Sequence, residues 1–463
     1  MSDPFHNEFA PTSLEARDMR YMFHPTTNLA DFHETGPLVR QRAEGVYIWD
    51  ASGKQYIEGM AGLWCTALGY GVEELVSVAE QQMRTLSYAQ LFAGVTNEPS
   101  VLLAEKLSEI VPIENGRVFF GQSGSDANDT QLKLLWLYHN VIGRPQKKKV
   151  ISRWGAYHGV TLGAGSLTGL PAFHKNFDLP IPGVLHTSNP HYYRFAEAGE
   201  SEAQFSSRLA SELEDLILQE GAETVAAFIA EPVMGAGGVI VPPEGYFSKV
   251  QEVLQKHDIL FVDDEVICGF GRTGNPFGCQ TMDIKPTTVS LAKALSSAYL
   301  PISAVVVPEF LYDPIREATR TSGMFAHGFT YTGHPVCSAV ALRNIEIMER
   351  LDLFKAVAQK AGIFQQRLQA FNDLPLVGEV RGIGLIGAIE FVKNKETKES
   401  FPRDARVGIY CMECCLQHGL VVRALGDVVC FCPPLVITEA QIEELFSKFE
   451  LALRETIEKF AAD

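Results

Sequence analysis

Residues Ile259–Gly274 read ILFVDDEVICGFGRTG: four apolar side chains run into two aspartates, and Gly269, Gly271 and Gly274 follow. The run is short, apolar and closed by polar residues, which reads as a buried strand with Asp264 at its carboxyl edge. The glycines stand at the spacing of a dinucleotide-binding fingerprint. Such a fingerprint follows its strand directly and opens a helix that receives the pyrophosphate. Here EVIC intervenes, and GNPFGCQ beyond it reads as turns. A second match, GIGLIG with Gly382, Gly384 and Gly387, is continued as a strand by AIEFV. Neither copy has the required context, so the spacing argues weakly for a nicotinamide or flavin enzyme. The glycines of the first copy read instead as freedom for a tight loop passing the cofactor or a subunit boundary.

Working outward, the runs RVFF, KVIS, VAAFIA, ILFVDD, TVSLA and SAVVV punctuate residues 115–310 and read as buried strands of a largely parallel sheet. Between them, Phe205, Leu209, Leu213, Leu216 and Ile217 recur at helical spacing, as do Phe247, Val250, Val253 and Leu254. Alternating strand and helix define an α/β domain, whose ligands lie beyond the carboxyl ends of its strands. The last third differs: VGEVRGIGLIGAIEFV and GLVVRALGDVVCFCPPLVI read as paired strands, and a final helix opens on a capping box, Thr438 with Gln441. Its apolar face carries Ile442, Leu445, Phe446 and Phe449. Near the start, GVYIWDASGKQYIEG reads as a hairpin turning at Ser52 and Gly53. The expected organisation is therefore a segment 1–70 joining a small α+β domain, a large domain 71–330, and the rest of the small domain at 331–463.

The 463 residues carry 39 Lys and Arg against 56 Asp and Glu, a formal charge of −17 that disfavours polyanion partners such as nucleic acid. No apolar run approaches bilayer-spanning length. The start, MSDPFHNEFAP, lacks the basic and apolar regions of a secretory signal, so a cytoplasmic location is expected. The nine cysteines include a Cys-x-x-Cys spacing in CMECC, but no second pair or histidine pair follows at finger spacing. They read as reduced packing thiols, with no metal site expected. The acidic stretch SEAQFSSRLASELEDLILQE reads as an outer helix facing solvent.

The chemistry gathers at strand ends. Lys293, 29 residues after Asp264, emerges from an apolar run. A lysine in such surroundings is paired, lowered in pKa or covalently used, unless it simply reaches solvent. In VFFGQSGSDANDTQLKLLW, a strand ending at Phe120 leads through Ser123, Gly124 and Ser125 into a helix with Leu132, Leu135 and Tyr138 on one face. Backbone N–H groups and hydroxyls at that helix start suit a phosphate, and capping by Ser125 or Asp126 is compatible with this. A lysine amine, an acid and a phosphate cradle on one sheet edge fit pyridoxal 5′-phosphate: the lysine for a Schiff base, the acid for the ring nitrogen.

With these residues in view, the chain resembles the class III, fold-type I aminotransferases, most closely the (S)-selective amine:pyruvate ω-transaminases. The resemblance runs through FHPTTN, GMAGLWC, SGSDAND, WGAYHG, AEPVMGAGGVIVPP, DDEVICGFGRTG, LAKALSSAYLPI, HGFTYTGHP and VRALGDVVCFCPP. It implies that Lys293 forms the Schiff base, Asp264 pairs with the pyridine nitrogen, and Val266 and Tyr157 pack on opposite ring faces. Ser123, Gly124 and Ser125 would hold the phosphate, with Thr330 donated by the neighbouring subunit of a homodimer that is open to pairing into a tetramer. His158 and Glu231 would also lie at the cofactor, Glu231 in either a cofactor or a structural role.

Leu63, Trp64, Tyr157, Phe92 and Ala236 would wall the substrate site. Arg423 would be the mobile arginine that takes a substrate carboxylate. The implied reaction passes an amino group from a primary amine or ω-amino acid to a keto acid, pyruvate above all, through an aminated cofactor. A decarboxylase or aminomutase on the same scaffold, or an enzyme specific for β-alanine, taurine or a diamine, is the alternative. The sequence departs from the usual pattern at Thr26, where relatives often carry Phe, at Gln122 and Asp126 around the phosphate loop, and at Ala298 and Ser303, where glycines are usual.

Overall fold

In the computed structural model, which describes residues 10 and 12–461, the strand Leu260–Asp264 lies in the middle of a seven-stranded sheet. The start of the chain inspected for a secretory signal falls almost wholly outside the described residues. Edge to edge the strands are Arg117–Gly121, Ser303–Val307, Thr288–Leu291, Leu260–Asp264, Val225–Ala230, Lys149–Arg153 and Val184–Thr187. Each of the six expected runs is a strand, and Val184–Thr187, only four residues long, is an addition. Ser303–Val307 runs against both its neighbours, and all other pairs are parallel. The first strand therefore points the same way as the central ones. That arrangement brings the residues following Gly121, Arg153, Ala230, Asp264 and Leu291 to one edge.

Burial explains why these runs are strands. Every residue of Val225–Ala230 and of Thr288–Leu291 is buried, so unbroken apolar or small side chains cover both faces. Helix Glu202–Glu220 lays Phe205, Leu209, Leu213 and Ile217 on the core and packs beside helix Tyr246–Lys256. The acidic residues read as solvent-facing occupy its other side.

The first strands meet the last third of the chain. Arg40–Glu44, Tyr47–Asp50 and Gln55–Glu58 form a meander, and Leu420–Val421 adds in parallel to Gln55–Glu58. A second small sheet orders Val377–Ile383, Ile386–Phe391, Val428–Phe431 and Arg423–Leu425. Helix Glu439–Phe460 begins with the expected box: Gln441 N–H donates to Thr438 Oγ1 at 3.3 Å and Thr438 N–H to Gln441 Oε1 at 2.9 Å. Ile442, Leu445, Phe446 and Phe449 on that helix are fully buried.

The loop from Val266 to Gly274 contains no helix. Gly271 has φ +102°, and a Cβ there would lie 2.8 Å from the Phe354 ring. Its neighbour Arg272 is buried and donates from Nη1 to the carbonyls of Leu385 and Pro433, at 2.9 and 2.6 Å. Beyond Val266 the glycines let this loop approach the C-terminal third, and Arg272 fastens the two together. Among the described residues no helix is long and apolar enough to cross a membrane. All nine cysteines are free thiols, and Cys411, Cys414 and Cys415 share the helix Val407–Gln417.

Candidate active site

Asp264 is buried at the end of its strand. Its Oδ2 accepts from Asn128 Nδ2 at 2.8 Å and from His158 Nδ1 at 2.8 Å, while Oδ1 accepts Val266 N–H at 3.1 Å. Three donors thus converge on this one carboxylate. Asn128 also donates to the His158 carbonyl at 2.7 Å, so one amide fixes both residues. Asn128 is on no motif position weighed from the sequence. Its signal was present in SGSDAND, where it lies one helical turn past Gly124 on the side facing the sheet.

Lys293 follows the neighbouring strand and sits at φ +46°. Burial of its amine lowers its pKa below the ordinary lysine value, while Asp264, Cys65, Glu231 and Cys432 pull the other way. Among the described residues no carboxylate lies within ion-pair distance of Nζ. An amine in this setting sheds its proton more readily than a surface lysine and is correspondingly more nucleophilic.

The helix Gly124–Val141 is capped by Ser123, two or three residues before the caps expected at Ser125 or Asp126. Asp126 N–H donates to Ser123 Oγ at 3.2 Å, and the Asp126 carboxylate takes Gln122 N–H at 2.9 Å, Ser123 N–H at 3.1 Å and Ser303 Oγ at 2.8 Å. Two of the unusual residues, Asp126 and Ser303, are thus partners. The N–H groups of Gly124 and Ser125 have no acceptor among the described residues and point from a helix start, where an anion is favoured. Gly159, at φ +135°, comes so close that a Cβ would lie 2.5 Å from Ser125 Oγ. Val266 lies against Gly124, whose added Cβ would meet the valine methyls at 3.1 Å.

Glu231, directly after strand Val225–Ala230, accepts Tyr157 N–H at 2.9 Å on Oε1 and Gly235 N–H at 3.1 Å on Oε2. Burial raises its pKa, opposed first by His158. It ties Tyr157 to the loop holding Ala236, which favours the structural alternative for this acid. The Tyr157 hydroxyl is raised in pKa by burial, lowered by the charge of Arg423 and raised by Asp264 and Glu231. Arg423 begins the edge strand Arg423–Leu425, is half-buried, and has no ion-pair partner among the described residues.

The residues expected to wall the substrate site differ in exposure. Trp64 is only 3% exposed and packs in a core cluster with Met60, Val233, Ile267 and Cys430, whereas Leu63 beside it is 55% exposed. The backbone at Trp64 has φ +65°. Phe92 is 50% exposed and packs on Gly328, a segment it shares with the exposed Thr330, whose carbonyl accepts from Tyr88 Oη at 2.8 Å. These two stand together on the surface. Thr26 is also exposed, at φ +50°.

An unpaired buried amine, a carboxylate with a ring of donors, and a free helix start opposite a glycine cradle fit the three polar ends of pyridoxal phosphate. The fold and site are those of a fold-type I pyridoxal-phosphate enzyme. The chain belongs to the class-III aminotransferases, whose family model matches residues 30–453. It is 48% identical over 453 residues to the chloroplastic gamma aminobutyrate transaminase 3 of Solanum lycopersicum, covering 97% of this chain and 87% of that one. It is likewise 48% identical to the vanillin aminotransferase of Capsicum annuum, covering 91% and 92% of the two chains. The omega transaminase of Pseudomonas jessenii in complex with PMP superposes with a TM-score of 0.96 at 48% identity, covering 97% of this chain and 99% of that one. The protein is a pyridoxal-phosphate-dependent transaminase that moves an amino group from an amine to a keto acid.

Proposed function

We propose that the enzyme acts on primary amines, ω-amino acids included, with pyruvate as the principal acceptor, and that it works as a cytoplasmic homodimer. The observation that carries the substrate assignment is the unpaired, half-buried Arg423, whose charge reaches Tyr157. A guanidinium there binds a carboxylate bidentately when the substrate has one. On an edge strand it also has room to turn to solvent when the substrate has none, which avoids leaving an unpaired cation against an apolar amine. One site thereby serves both a keto acid and an amine lacking a carboxylate.

In this reading the bound cofactor supplies an aldehyde carbon and an electron-accepting ring, through which the amino group passes. Asp264 would pair with the protonated ring nitrogen, with His158 and Asn128 holding the carboxylate in place. Ser123 caps the helix, and Gly124 and Ser125 offer N–H groups to the phosphate. Val266 and Tyr157 bound the ring. With the cofactor bound, Lys293 Nζ would be the group that takes the proton from the amine-bearing carbon as a base and gives it back as an acid. Its lowered pKa supports both roles.

Thr330 is assigned to the neighbouring subunit's phosphate, with Phe92 beside it at the neighbouring substrate site. Their exposure and the apolar groove formed by Leu91, Val118, Phe119, Met324 and Phe325 support this placement. The test is a matrix of pyruvate and 2-oxoglutarate against aryl-alkyl amines, diamines and β- and γ-amino acids. Activity with 2-oxoglutarate alone overturns the acceptor assignment. Release of carbon dioxide, or isomerisation without an acceptor, favours the decarboxylase or aminomutase.

A further inference from the structure

The turn that carries Lys293 is held in an unfavourable backbone conformation. Lys293, Ser297 and Ala298 have φ values of +46°, +47° and +61°. Side-chain-bearing residues rarely occupy this left-handed region, and such a conformation persists where the surroundings over-determine it. The surroundings here centre on Asn344 of helix Pro335–Arg350, which is wholly buried. Asn344 Nδ2 donates to the carbonyls of Ala294 and Leu295 at 2.8 and 3.0 Å, and Ser297 Oγ donates to Asn344 Oδ1 at 2.6 Å. Ser297 Oγ in turn accepts Leu68 N–H at 3.2 Å.

This set of donors and acceptors admits only one assignment. Two carbonyls require the amide nitrogen on their side, and the Ser297 hydroxyl, already accepting from Leu68, must give its proton to the amide oxygen. Tyr299 repeats the tie just beyond the turn, where its Oη accepts Val72 N–H at 2.7 Å. The lysine turn is therefore clamped between helix Pro335–Arg350 and the segment that follows Leu63 and Trp64.

We infer that Asn344 is a positioning residue for Lys293: it braces the strained turn so that the amine is aimed at the reacting carbon. The inference rests on Lys293 being the lysine that takes the cofactor. Ala298 is exposed at φ +61°, a conformation its methyl disfavours. Glycine at that position relaxes the turn and lightens the task of the brace.

The test uses full-length apoenzyme to which pyridoxal phosphate is returned. The rate of covalent capture is followed across pH by absorbance, with borohydride reduction and peptide mapping to locate the lysine. In Asn344→Asp, which keeps the side-chain shape but turns an oxygen toward two carbonyls, capture slows on the order of ten- to a hundredfold and its pH midpoint shifts. The kcat falls while the KM for the amine stays near wild type. Adding Ala298→Gly to that variant recovers part of the rate, which a role in bulk stability alone does not predict. Wild-type capture rate and pH midpoint in a folded Asn344→Asp enzyme overturn the inference. Should that variant not fold, Ser297→Ala is expected to slow capture severalfold, and an unchanged rate there overturns it equally. Reduction that marks a different lysine in the wild-type enzyme removes the assignment of Lys293 itself, an outcome distinct from failure of the brace.

Discussion

His158 Nδ1 and Asp264 Oδ2 meet at 2.8 Å in a fully buried pair, with Asn128 donating to the same oxygen. Since the carboxylate accepts, the proton of this imidazole lies on Nδ1. A hydrogen bond to a charged group contributes about 1.5–3 kcal/mol. His158→Phe keeps an aromatic ring and deletes the donor, so the Kd for pyridoxal phosphate should rise on the order of tenfold or more. His158→Asn restores an N–H near the Nδ1 position and should recover part of the affinity. Equilibrium binding by absorbance checks both; equal affinity in His158→Phe and wild type contradicts the assignment.

Arg423 separates substrates by whether they carry a carboxylate. Arg423→Leu removes a charge-assisted pair of about 1.5–3 kcal/mol for those that do, so their KM should rise roughly ten- to a hundredfold. For an aryl-alkyl amine no pair is lost, and its KM should stay level or fall. Half-reaction kinetics with γ-aminobutyrate and with a carboxylate-free amine supply the comparison. A uniform effect on both would place Arg423 outside the substrate site.

Asp126 and Ser303 are predicted to act on the helix start rather than on the phosphate directly. The Asp126 carboxylate holds Gln122 N–H, Ser123 N–H and Ser303 Oγ, leaving the N–H groups of Gly124 and Ser125 free. Ser303→Ala should lower apoenzyme stability by about 1–2 kcal/mol, seen as a lower Tm, and change cofactor affinity little. Asp126→Ala removes the reciprocal half of the capping box as well and should cost both stability and affinity. A large loss of cofactor from Ser303→Ala alone would show that its hydroxyl reaches the phosphate.

The legible parts were those in which one residue type has one physical use. Strands such as Val225–Ala230 announced themselves because burial on both faces demands an unbroken apolar or small run. Asp264 and Lys293 stood out as charges at the ends of such runs. Val184–Thr187 did not, because VLHT is short and half polar. Asn128 and Asn344 escaped for another reason: each lies inside a helix, where nothing local distinguishes a buried amide that pins a distant loop from one facing water. Trp64 shows the reverse difficulty. Its motif suggests a pocket wall and its apolar neighbours suggest core, and the buried indole, packed with Met60, Val233, Ile267 and Cys430, is compatible with both.

The last prediction concerns pH. His139 on helix Gly124–Val141 is buried, neither ring nitrogen has a partner among the described residues, and its pKa falls from 6.5 to about 4. Burial is the main cause, with Lys147, Lys148 and Arg144 adding to it. The folded state thus resists a proton that the unfolded chain accepts. Above pH 6.5 the group has no effect; as pH falls from there toward about 4 stability is lost, and below that the loss levels off. The full difference is about 3 kcal/mol. His186, lowered to about 4 by burial and then by His174, acts in the same sense. The apoenzyme Tm should therefore drop between pH 7 and 4, and His139→Leu should make that drop shallower, since an apolar side chain of similar bulk has no proton to exclude. An identical pH dependence in the two proteins would mean that His139 titrates in the fold as it does in the unfolded chain.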